Sequence, residues 1–333
     1  MIKCNFEKII SKENKPIAYI SPGKTITIET INAYGKKFSN LSDLIDLIND
    51  KSGNNHHHPL TGPIYVNGLK KGDIVKIHIK KIELQEMAQA LSKTAGVEPL
   101  DNPTFGDRSP IIGKLDKKEI SYLSNISLSA VPMIGIIATT TEKIIKTGHT
   151  GKTGGNLDIP FLTEGSDIYL PVEIDGGGIY LGDVHAVQGY GELGGIAMEA
   201  SAKVKLIISI HKPASNFNFK YSHPIIITGK EPLTKRSAIA VIGISDNINN
   251  LDSAVIDAYR KSSNIIQELL QTQSENLAKS LVTLIGHSIN GQALSKTTES
   301  TTMILFLEKD LKKIFKTTEN GIIEIINSVY PEK

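Results

Sequence analysis

Ala202-Lys203-Val204-Lys205-Leu206-Ile207-Ile208-Ser209-Ile210 places an apolar side chain at every second position from 202 to 210. Successive side chains on a strand point to opposite faces, so this period of two predicts a strand with one face in a core. The same reading extends outward in both directions. Thr25-Ile26-Thr27-Ile28-Glu29-Thr30-Ile31 alternates, and so does Ala238-Ile239-Ala240-Val241-Ile242-Gly243-Ile244. Ile64-Tyr65-Val66 and a strand over 73–82 flank the turn Asn67-Gly68-Leu69-Lys70-Lys71-Gly72. Met133-Ile134-Gly135-Ile136-Ile137-Ala138 is almost wholly apolar, which predicts burial on both faces. A strand over 167–174 runs into Asp175-Gly176-Gly177-Gly178 and then Ile179-Tyr180-Leu181, which predicts a hairpin across a glycine turn.

Helical spacing comes late. Asp252 or Ser253 can cap a helix over 252–271, and Ser274 a second over 275–285 that stops at Gly286. A third is expected over 308–315. The stretch 88–111 reads as a long loop carrying Asn102, Pro103, Gly106, Asp107 and Pro110, and long loops in compact proteins are often functional. The expected fold is mainly β, a β-sandwich-like core with a smaller C-terminal α/β portion. Residues 1–210 are expected to form the β unit carrying the chemistry, with 211–333 packed on it.

The chain has 333 residues, enough for a large core. Its 37 basic and 35 acidic residues leave a net charge of +2. Arg108, Arg236 and Arg260 are its only arginines, so neither charge nor bidentate donors favour a nucleic-acid partner. No stretch approaches the ~20 apolar residues of a membrane span. A single cysteine, Cys4, excludes an internal disulfide and a multi-cysteine zinc site, and fits a reducing, cytoplasmic setting.

The chemistry gathers in Gly182-Asp183-Val184-His185-Ala186-Val187-Gln188-Gly189-Tyr190-Gly191-Glu192. Asp183 and His185 are two apart and share a face on a strand. A carboxylate beside an imidazole suits a divalent metal, and Glu192 lies just past the glycines, in reach as a general base. Gly154-Gly155-Asn156-Leu157-Asp158 carries a second pair, Asn156 and Asp158. The two pairs supply four oxygen and nitrogen ligands if their strands lie side by side; otherwise the second is a glycine turn whose side chains bond their own backbone. Glu199 lies in an apolar stretch and needs a partner if buried: a metal, a ligand it supports, or an ordinary ion pair. His56-His57-His58 reads as a solvated loop, and adjacent histidines cannot all point one way. His78 reads as a surface or cross-strand residue, and His149, His211, His223 and His287 as structural. Gly148-His149-Thr150-Gly151-Lys152-Thr153 lacks a first glycine at Lys146 and a following helix, which excludes a P-loop.

Taken together, three stretches resemble the acetamidase/formamidase family: Gly154-Gly155-Asn156-Leu157-Asp158; Leu162-Thr163-Glu164-Gly165-Ser166-Asp167-Ile168-Tyr169-Leu170-Pro171-Val172; and the segment from Gly182 to Glu192. Pro59-Leu60-Thr61-Gly62-Pro63-Ile64-Tyr65-Val66 with Gly72-Asp73 resembles its N-terminal part, and Pro132-Met133-Ile134-Gly135 its central strand. The resemblance implies a metal-associated hydrolase that converts a short aliphatic amide to a carboxylate and ammonia, usually as a homodimer or larger homo-oligomer. Carried onto matching positions, it implies that Asn156, Asp158, Asp183 and His185 form or border the metal site. Glu192 and Gln188 are then the expected catalytic pair, with Tyr190, Gly155 and His58 on the substrate. Zinc suits mixed carboxylate and imidazole ligands; calcium or magnesium suits a site of nearly all oxygens. The chain departs from the family in two places. Gly189-Tyr190-Gly191-Glu192 stands where the family has Gly-Asp-Gly-Glu, and Gly286-His287-Ser288-Ile289-Asn290-Gly291-Gln292 where it tends to have an Asp and an Arg. These departures leave open a non-hydrolytic metal-binding relative, or a hydrolase of a bulkier or cyclic amide.

Overall fold

The period of two at 202–210 is realised in the strand Met198–His211. In the computed structural model, Ala202, Val204, Leu206 and Ile208 are buried on one face. On the other face Lys205 Nζ reaches Glu83 Oε1 across the sheet at 2.9 Å. Residues 1–49, 58–90, 110–121, 127–188, 197–211, 223–228, 238–245, 251–270, 278–279, 282, 286–289 and 300–307 are described.

Met198–His211 pairs antiparallel with Thr25–Thr30, with Ile74–Ala90 and, at its Glu199 end, with Ile179–Val187. These belong to a 15-stranded sheet. From the Glu199 end its path runs through Ile179–Val187 and Met133–Ala138 to Gly154–Asn156. In the other direction it runs through Ile74–Ala90, Asp167–Pro171, Ile225–Ile227, Ala238–Ser245 and Ser300–Leu307 to Gly286–Ile289. Ile134 and Leu181 from one arm and Ile226, Ala240 and Ile242 from the other meet Ile77, Ile168 and Leu206 in a single buried cluster. The sheet therefore curls around its own apolar face. This is the sandwich-like, mainly β core expected from the sequence.

Ile74–Ala90 runs 17 residues, well past the expected 73–82. Its partner explains the extension: pairing continues from His211↔Ile74 to Glu199↔Ala88, with register shifts absorbing the irregular stretch. The rest of the expected loop, 91–109, lies outside the described residues. The hairpin expected across Gly176-Gly177-Gly178 does not form. Asp167–Pro171 pairs with Ile74–Ala90 and Ile225–Ile227, whereas Ile179–Val187 pairs with Met133–Ala138, Leu60–Val66 and Met198–His211. The glycines turn the chain from one part of the sheet to another. Their backbone bonds reach Val66, Leu69 and Thr140 on neighbouring segments as well as Ile174 within the turn.

The helix Leu251–Leu270 forms within a residue of expectation and lies on Ala238–Ser245 and Ser300–Leu307. Ala254, Ala258, Ile265 and Ile266 face the sheet. Of the second expected helix only 278–279 and 282 are described, as helical; the third lies outside the described residues. The helix Leu41–Asn49 was not foreseen. No described helix is long and apolar enough to cross a membrane.

Candidate metal and active site

Met133–Ala138 is the strand around which the site is built. It pairs on one side with Gly154–Asn156, through Ile136↔Asn156, and on the other with Ile179–Val187, through Ile136↔Gly182 and Met133↔His185. The two motif segments thus flank one shared strand. Asn156 is buried within its strand, and its backbone carbonyl accepts from the Thr150 hydroxyl. Asp158 lies two residues beyond, at φ 47°, where the chain has left the extended conformation. Asp183 also has positive φ, 54°, opposite Gly135 on the shared strand. His58 has φ 58°. Only five described non-glycine residues adopt positive φ, and three of them are these. Asp, Asn and His tolerate the left-handed region best, and strained residues of this kind gather at functional sites.

The left-handed turns aim Asp158 and Asp183 at His185. A ligand atom from each of the three falls within 4.8 Å of the others, and all three residues are buried. His185 Nε2 lies 3.6 Å from Asp183 Oδ1, 3.9 Å from Asp158 Oδ1 and 3.5 Å from Glu199 Oε2. Glu199 stands directly across the sheet from His185. His58 Nδ1 approaches Asp183 Oδ1 at 3.1 Å. Its side chain is 22% exposed against 1% for Asp183, so it forms the outer edge of the cluster. The solvated-loop reading therefore fails at His58, while His56 and His57 lie outside the described residues.

Three buried carboxylates around one imidazole set the local electrostatics. Burial alone would depress His185, but Glu199, Asp183 and Asp158 outweigh it and hold its pKa well above the usual range. Burial would raise Asp183, yet His58 and His185 hold its carboxyl below the usual carboxylate range. Glu199 goes the other way: burial, with the negative charges of Asp183 and Asp158, pushes it well up, against the pull of His185. Burial lowers His58, and the Asp183 carboxylate reverses this and raises it. Like charges crowded in a dry site require protons or a cation. Glu199 Oε2 accepts no hydrogen bond from any described group.

Gly135 was read only as part of a strand, yet it makes the convergence possible. A Cβ there would stand 2.7 Å from Asp158 Oδ1, 2.7 Å from Asp183 Oδ2 and 2.6 Å from the Asp183 carbonyl oxygen. Its only sequence signal is a glycine inside an otherwise apolar strand, which marks close approach. Gly155, expected at the substrate, lies tight against backbone: a Cβ there would stand 2.2 Å from the His149 carbonyl oxygen. Gln188 follows the strand and bridges two site residues. Its Oε1 lies 2.6 Å from His185 Nδ1, and its Nε2 donates to the Asp158 carbonyl at 2.7 Å. Tyr190 and Glu192 lie outside the described residues. Away from the site, His78 Nδ1 meets Asp167 Oδ1 at 2.7 Å across the strands, the cross-strand role expected of it.

Residues 12–147 and 114–292 match the sequence profile of the Acetamidase/Formamidase family. A candidate formamidase of Schizosaccharomyces pombe is 24% identical over 246 residues, 56% of this chain and 60% of that protein. The chain thus spans less than two thirds of that relative's length. Among solved structures, an acetamidase from Bacillus halodurans superposes with a TM-score of 0.78 at 25% identity, over 94% of this chain and 99% of that one. A predicted acetamidase/formamidase from the thermophile Thermoanaerobacter tengcongensis gives 0.76 at 25% identity, over 96% and 99%.

Proposed function

Since the chain belongs to the acetamidase/formamidase family, we propose that it hydrolyses the carbon–nitrogen bond of a short linear amide, giving a carboxylate and ammonia. The observation that carries this reading is the buried convergence of Asp158, Asp183 and His185 beside Glu199. An amide is stabilised by resonance, so its hydrolysis needs a strong nucleophile and a polarised carbonyl.

The donor set fits a divalent cation. Two carboxylates and an imidazole are zinc ligands, with calcium or magnesium favoured only if further oxygens complete the set. The 3.6 and 3.9 Å separations of His185 Nε2 from the Asp183 and Asp158 carboxylates suit donors grouped around one ion. A divalent ion held by Asp158, Asp183 and His185, with Asn156 as a further proposed ligand, would supply Lewis acidity toward a carbonyl oxygen and would acidify water. The remaining steps belong to side chains. Glu192 is the proposed base. The proton that Glu192 takes from water is the one the leaving nitrogen needs, and Glu199, pushed up by burial and by the charges of Asp183 and Asp158, stands 3.5 Å from His185 Nε2. His58, on the outer edge, and Tyr190 are proposed to face the amide. We further assign the protein to the cytoplasm, from its single cysteine, and to a homodimer or larger homo-oligomer, by likeness to the family.

Ammonia release from formamide, acetamide and propionamide tests this reading, with protein as purified, after chelation and after return of zinc, calcium or magnesium. Release that stops on chelation and returns with one ion supports it. A folded protein that releases no ammonia with any of the three ions overturns it.

A further inference from the structure

The Gln188 amide is engaged at both ends. One end faces the Asp158 carbonyl, which can only accept, so the Gln188 nitrogen must be the end that donates there, at 2.7 Å. The amide oxygen is then turned toward His185 Nδ1, 2.6 Å away. An oxygen can only accept, so Nδ1 must carry the hydrogen. Reversing the amide would set two carbonyl oxygens against each other at Asp158. A proton on Nδ1 leaves the lone pair of neutral His185 on Nε2, the atom that lies 3.5–3.9 Å from Glu199, Asp183 and Asp158.

We infer that Gln188 is a positioning residue: through the Asp158 carbonyl it fixes the ring and tautomer of His185, so that Nε2 offers its lone pair to a cation. The inference rests on the cation-site reading above. It also makes Asp158 act twice, its side chain toward the ion and its main chain toward the group that orients the neighbouring ligand. Partners that orient a ligating histidine through its other nitrogen typically change metal affinity 10–100-fold when lost.

The test is Zn²⁺ binding without substrate, by competition with a chromophoric chelator, for wild type, Gln188→Met and Gln188→Glu, each checked for folding by circular dichroism. Methionine keeps the shape and removes both bonds, whereas glutamate keeps the acceptor for Nδ1–H and turns toward the Asp158 carbonyl an oxygen that donates there only when it carries a proton. The expected result is a loss of ten- to a hundredfold for Q188M, with Q188E staying within about tenfold of wild type. Ring nitrogen NMR of zinc-loaded wild type should place the His185 hydrogen on Nδ1, which decides the matter even if Q188M does not fold. Equal losses in both variants, an unchanged Q188M, or a hydrogen on Nε2 would each overturn the role of Gln188 and leave the amidase reading standing. A wild type that binds none of Zn²⁺, Ca²⁺ and Mg²⁺ would overturn both.

Discussion

At the scale of single residues, the site is made by what Gly135 lacks. Two buried carboxylates occupy the space that any side chain at 135 would take. Gly135→Ala must move the Asp183 backbone or rotate both carboxylates away. Overpacking of this kind typically costs about 1–3 kcal/mol, and we expect divalent-ion affinity to fall by an order of magnitude or more. Calorimetric titration of the folded variant checks this; unchanged affinity would show that the carboxylates do not need that space. Much of the site was legible in the sequence. Asp183 and His185 could be paired from their spacing, and Asn156 with Asp158 singled out as a second pair. The reason they meet was not legible, because positive φ at Asp158 and Asp183 comes from tertiary packing, and an extended reading would have put Asp158 elsewhere. Gly135 carried no polar atom to draw notice.

At the scale of elements, the helix Leu251–Leu270 is joined to its sheet by Asp257. That carboxylate accepts from the Ile244 backbone at 3.0 Å and pairs with Arg260 at 2.6 Å and Lys261 at 2.5 Å. Lys261 in turn donates to the Ile242 carbonyl at 3.1 Å. Asp257→Ala would leave a half-buried ammonium without its counter-charge and a strand amide without its acceptor. We expect a loss of about 2–3 kcal/mol, read as a lower urea midpoint with unchanged slope. A loss below 0.5 kcal/mol would mean that apolar packing alone holds the helix. This helix was foreseen because its apolar spacing and cap are local. The helix Leu41–Asn49 was missed although its signal is also local: Asn40 Oδ1 accepts from the Asp43 amide at 3.2 Å, and Asp43 Oδ2 from the Asn40 amide at 3.3 Å, a reciprocal cap. Its nine residues lie in a region whose neighbours all read as strands. The false hairpin at 175–178 has the opposite cause: the glycines signal a turn, but which strands pair afterwards is decided by distant partners.

At the scale of the whole molecule, the sheet runs without a break from the motif strands to Ile225–Ile227 and Ala238–Ser245. His223 sits just before the first of these, buried. Burial, reinforced by the charge of Lys261, lowers its pKa to about 3. It is therefore neutral in the folded chain at pH values where the unfolded chain, with an ordinary histidine near 6.5, already binds a proton. Its contribution to stability is complete above pH 6.5 and drains away as pH falls toward 3. Urea unfolding at pH 7, 5.5 and 4.5 should show that decline, and His223→Gln should flatten it. Parallel pH profiles for the two proteins would sink this account.

Asp158 and Asp183 adopt a backbone conformation that asparagine accepts as readily as aspartate. A single-nucleotide transition converts an aspartate codon into an asparagine codon. One mutational step therefore strips the pocket of half its aspartate charge while leaving the chain's path intact. A silent, still-folded descendant lies next door in evolutionary space, and the return journey is equally short.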